Sequence, residues 1–76
     1  MIREHDRVVL TVDLPDEGLK AGDVGTVVRI CQGGEAFAVE FFALSEETLG
    51  VVVVSASQVR PVHSREITHA RPLAAV

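Results

Sequence analysis

Short β-branched and apolar runs separated by glycine, proline and acidic clusters predict an all-β fold: a small five-stranded barrel followed by a C-terminal arm. Three observations support this. Apolar and polar residues alternate with period two, most clearly where Phe37, Val39 and Phe41 interleave with Ala38 and Glu40. Turn signals fall between five such runs, which favours a closed or nearly closed barrel over a two-layer α/β domain. The chain has 76 residues and one cysteine, so it must hold a small core by packing alone, and a barrel does this economically.

Residues 7–12, Arg-Val-Val-Leu-Thr-Val, form the first strand and end at the turn formers Asp13 to Gly18. Pro15 lacks an amide hydrogen and Gly18 tolerates positive φ, so residues 13–22 read as an irregular excursion. The second strand runs from Gly25 to Ile30, with Thr26, Val28 and Ile30 on one face and Val27 and Arg29 on the other. Gln32 to Glu35 supplies a hairpin turn through its paired glycines. In the third strand Phe37, Val39 and Phe41 face the core, Glu40 faces solvent, and Phe42 is left off the core face. Thr48 to Ser55 is the fourth strand, and its unbroken Val51 to Val54 implies apolar cover on both faces. A short helical turn at Ala56 to Gln58 leads into Val59 to Val62, where Pro61 confines the last strand to an edge or to barrel closure. The barrel thus occupies residues 1–62, and residues 63–76 form an arm, irregular or packed on a partner.

Charge is distributed unevenly along the chain. Four basic residues against ten acids give −6 over residues 1–57, while Arg60, Arg65 and Arg71 against Glu66 give +2 thereafter. An acidic body repels a phosphate backbone, which argues against nucleic acid as the main partner. The apolar runs are too short for a membrane span, and the charged residues after Met1 do not resemble an export signal. The expected location is cytoplasmic, which also suits the unpaired Cys31.

The run Glu4 to Leu10, the Asp13-Leu14-Pro15 turn and the Gly22-Asp23-Val24-Gly25-Thr26-Val27 segment resemble a family of small, uncharacterised bacterial SH3-like barrel domains of unknown function. The resemblance covers about residues 2–62 and implies the barrel fold and a bacterial source, but no active site. More distantly, Gly22, Gly25 and Val27 are similar to the Gly-x-x-Gly-x-Val core of KOW-type barrels in ribosomal proteins and transcription factors. The chain departs from those RNA binders in its acidic body and its lack of Tyr and Trp.

No chemistry-bearing motif emerges. Gly22, Gly25, Gly33 and Gly34 match no phosphate-binding loop and are read as turn glycines. His5, His63 and His69 have no compact metal-ligand spacing, and Cys31 is expected to be a buried, inert thiol. Asp16-Glu17 and Glu46-Glu47 fall in turns where carboxylates stay ionised. No catalytic residue, cofactor or metal is therefore expected.

What remains is surface. Phe42, Val27, the valine-rich strand with Val52 and Val54, and the arm with Ile67, Leu73 and Val76 suggest an apolar patch, flanked by Arg60, Arg65 and Arg71. The expected function is a non-enzymatic protein-interaction or accessory module that binds a protein partner or pairs with itself as a homodimer. The alternatives are a nucleic-acid-associated barrel whose three arginines contact phosphates, and an antitoxin-like subunit beside a neighbouring protein.

Overall fold

Each apolar run becomes a strand: β1 (Arg7–Leu10), β2 (Val24–Cys31), β3 (Ala36–Phe42), β4 (Thr48–Ser55) and β5 (Val59–Pro61). The computed structural model describes residues 1–73. The strands form one five-stranded antiparallel sheet in the order β4-β3-β2-β1-β5. Pro61 sits in the edge strand β5, where its missing donor costs no ladder bond.

The two edge strands are joined only by the 3-10 turn Ala56–Gln58. Four residue steps reach about 14 Å at most. Five flat strands would place their edges about 19 Å apart. The sheet must therefore curl. A capping box fixes the turn: the Ser55 amide donates to Gln58 Oε1 at 2.9 Å. Among the described residues no ladder joins β4 to β5, so the expected barrel is observed as a curled but open sheet.

The core fills the concave side. Val8, Leu10, Leu19, Val27, Phe37, Val39, Phe41, Val54 and Val59 form it, with Ile2, Leu14 and Val52 packed against them. Two assignments of strand faces need correction. In β2, Val27 pairs with Val39 but Arg29 pairs with Ala38, so the register slips by one and Val28 is the extra residue of a β-bulge. Val27 is consequently 0% exposed, in the core and not on the surface patch, while Thr26 and Arg29 share the outer face. In β4, Val52 and Val54 stand opposite Val39 and Phe37 and point inward. The outward residues are Val51 and Val53, 55% and 66% exposed, so the expected cover on the second face of this strand is absent among the described residues.

Gly25 is also not a turn glycine. Gly22, Gly33 and Gly34 have positive φ, but Gly25 lies inside β2 opposite Phe41, without it. It is needed for close approach: a Cβ there would lie 2.5 Å from Val39 Cγ1 and 2.9 Å from the Glu40 carbonyl oxygen.

Candidate functional site

Beyond β5 the described residues have no regular structure, and two bidentate ion pairs position them. The first closes the arm's root. Arg60 Nη1 and Nη2 donate to Glu66 Oε1 and Oε2 at 2.9 and 2.7 Å, and the His63 amide donates to Glu66 Oε1 at 2.6 Å. The second fastens the arm to the sheet. Arg71 Nε and Nη2 donate to Asp23 Oδ1 and Oδ2 at 2.8 and 2.5 Å, and Nη2 also reaches the Gly18 carbonyl at 3.2 Å. Asp23 stands just before β2, oriented by the Lys20 amide at 2.9 Å.

The arm thus crosses the convex side of the sheet. Val9 lies between the core residues Val8 and Leu10 and so faces away from the core, yet it is 7% exposed on the side where the arm passes. Among the described residues, the apolar cover sought for the second face exists over β1 and is missing over β4. Between arm and sheet lies a groove of about 720 Å³. Phe42, Leu44 and Leu49 line it from the β3–β4 side, and Ile67 and Leu73 from the arm. Leu44 and Ile67 are 95% and 94% exposed.

Of the residues singled out in the sequence, Phe42, Arg60, Ile67, Arg71 and Leu73 come together at this groove. Val52 and Val54 do not, because the register of β4 turns them into the core. Arg65 is exposed and forms no salt bridge among the described residues. Val76 lies outside the described residues. Sequence reasoning missed Leu44, Leu49, Asp23 and Glu66. Leu44 carried a legible signal, a large apolar residue within a polar turn, whereas the pairing of Asp23 with an arginine 48 positions away carried none. Cys31 is only partly buried at the end of β2, less enclosed than expected. Among the described residues no three His, Cys, Asp or Glu side chains lie together as metal ligands.

A family model described as a domain of unknown function (DUF4926) matches residues 4–61. The chain belongs to this family. No curated protein and no solved structure matches it. The DUF4926 region ends at Pro61, so the groove is composite: Asp23, Phe42 and Arg60 lie inside the matched segment, while Glu66, Ile67, Arg71 and Leu73 follow it. Among the described residues no helix is long and apolar enough to cross a membrane.

The ion pairs shift both acids. At Asp23 burial works to raise the pKa, but the hydrogen bond from Arg71, the Lys20 amide and the charges of both side chains outweigh it, leaving the carboxyl below its ordinary 3.8. At Glu66 the Arg60 hydrogen bonds, followed by the His63 amide, lower the pKa from 4.5 to about 2. A depressed folded-state pKa means that the stabilisation is complete above the ordinary value and is lost as pH falls through the folded one. The arm's root therefore stays closed at neutral pH and loosens between pH 4.5 and about 2. In an NMR titration the His63 amide, which reports Glu66, is expected to move with a midpoint near 2; a midpoint at 4.5 means the pair does not persist in solution.

Proposed function

We propose that this chain is a non-enzymatic, cytoplasmic protein-interaction or accessory module with an SH3-like core, and that it takes an apolar segment of a partner protein in the groove beneath its arm. The exposed side chains of Leu44 and Ile67, which line that groove from the β3–β4 side and from the arm, carry the proposal, since a small domain seldom leaves such large apolar side chains bare beside a concave site without use. Arg65, which has no ion-pair partner among the described residues, adds a cation on the arm, so the segment that fits best is apolar with an acidic flank. The SH3-like reading is supported by the sheet order and by the 3-10 turn that leads into β5.

Nucleic acid is a poorer fit, because the guanidinium groups of Arg60 and Arg71 are committed to carboxylates. Asp23 and Glu66 are themselves poor candidates for acid-base work: both are pushed away from neutrality, whereas a working acid or base needs a pKa near the operating pH.

The test is affinity capture from the native cell with the wild-type chain and with a Leu44→Asp/Ile67→Asp variant, whose melting curve is expected to match the wild type because both side chains are exposed. A partner held by the wild type and lost from the variant supports the proposal. Equal retention by both, or nothing above background, overturns it.

A further inference from the structure

The two walls of the groove are held in different ways. Phe42 and Leu49 belong to β3 and β4 and are fixed by the sheet. Ile67 and Leu73 stand on the arm. Among the described residues the backbone of residues 67–73 makes no hydrogen bond to the sheet. The polar attachment comes from one side chain, Arg71, through Asp23 and the Gly18 carbonyl. Behind Ile67 lies the root, where Arg60 holds Glu66. Ile67 is therefore suspended between two side-chain pairs, and Leu73 follows the second by two positions.

The convex side shows what this attachment covers. Val9 pairs with Arg60 on one side and with Val24 on the other. One step beyond the Gly25–Phe41 pair, Phe42 comes beside Val24, so Val9, Val24 and Phe42 form an apolar row across three strands. Val9 is buried, whereas Val24 and Phe42 are exposed. Asp23 immediately precedes Val24, so the arm is pinned where the cover of the row ends.

We propose that the Arg71–Asp23 pair is a latch that assembles the groove. Closed, it holds Ile67 and Leu73 in place as the second wall and keeps Val9 covered. Broken, it lets residues 67–73 swing out from the root, so that Val9 joins the exposed row while the sheet stays folded. The sheet does not depend on the arm, because no arm residue belongs to the core or packs against it among the described residues. A guanidinium fork on a carboxylate fixes direction as well as distance, which suits a latch. Both partners also keep contact with water, so the pair can open without stranding a buried charge. Arg71 and Asp23 are thus positioning residues, which set the wall without touching its occupant. The consequence for binding rests on the groove being the partner site: a partner engages only the latched molecules, and its apparent affinity falls with the latched fraction.

The test uses the full chain without a partner. Methyl NMR in the presence of a neutral gadolinium chelate reads the solvent access of each valine. In the wild type Val9 should be nearly as protected as Val8. In Arg71→Gln and in Asp23→Asn it should approach the exposed Val53, with Val8 still protected. The double variant should go no further than either single change, since both break the same pair. The His63 amide, which reports Glu66, should keep its position in all three, because the root closes independently of the latch. Arg65→Gln removes the same charge from a residue with no ion-pair partner among the described residues, and should leave Val9 protected. Val9 protected in the Arg71 and Asp23 variants, or Val8 bared along with it, overturns the proposal. These readouts need no partner, so the latch can stand where affinity capture fails, and capture can succeed where the latch fails. Where the wild type captures a partner, Arg71→Gln should retain at least about fivefold less of it. Equal capture by the two also overturns the latch.

Discussion

Val27→Asp is expected to prevent folding, whereas Val28→Asp, one residue later, should lower the melting temperature by only a few degrees. Val27 is fully enclosed opposite Val39, itself fully enclosed. A carboxylate there would have to be desolvated without a partner or take up a proton, and the valine's packing would be lost as well. Together these costs exceed about 4 kcal/mol, comparable with the whole stability of a small domain. Val28 is the extra residue of the bulge and is exposed, so an acid there costs little more than lost strand propensity, under about 1 kcal/mol. Thermal unfolding followed by circular dichroism separates the two. If Val28→Asp proved the more damaging, strict alternation through β2 would be right and the bulge wrong.

The same pair marks how far the sequence could be read. The five strands, their order along the chain and the core faces of β3 follow from local pattern, because alternation and turn residues are written within a few positions. A bulge is not written that way. It depends on how β2 matches β3, and one slipped residue exchanges every face that follows. The homogeneous run Val51 to Val54 failed for a related reason: four identical side chains carry no phase, so only pairing with Phe37 and Val39 decides which two point inward. At the groove, the arm's apolar and basic residues were visible as leftovers. Their fastening was not, since the Arg71–Asp23 pair joins residues 48 positions apart.

Gly25→Ala should be nearly as damaging, for a different physical reason. The residue has ordinary strand φ, so alanine meets no backbone strain, and its strand propensity is no worse than glycine's. What it lacks is room. The added Cβ would sit 2.5 Å from Val39 Cγ1, 2.9 Å from the Glu40 carbonyl oxygen and 3.0 Å from Phe41 Cδ1. Val39 can turn only by leaving a packed rotamer, and the Glu40 oxygen belongs to the β3 backbone, so β2 and β3 must separate at the centre of the sheet. Overpacking of this kind costs about 3 kcal/mol, and in a domain of this size that is a fall of about 15 °C in Tm. Gly22→Ala supplies the contrast, because its φ of 96° is unfavourable for alanine but nothing lies within 4 Å of the added carbon. Its cost should stay near 1 kcal/mol. Joining Gly25→Ala with Val39→Ala, which removes the nearest obstructing methyl, should cost less than the sum of the two single changes by about 1 kcal/mol. Strict additivity would mean that the Glu40 carbonyl, and not the Val39 side chain, sets the limit on what β2 can carry at this position.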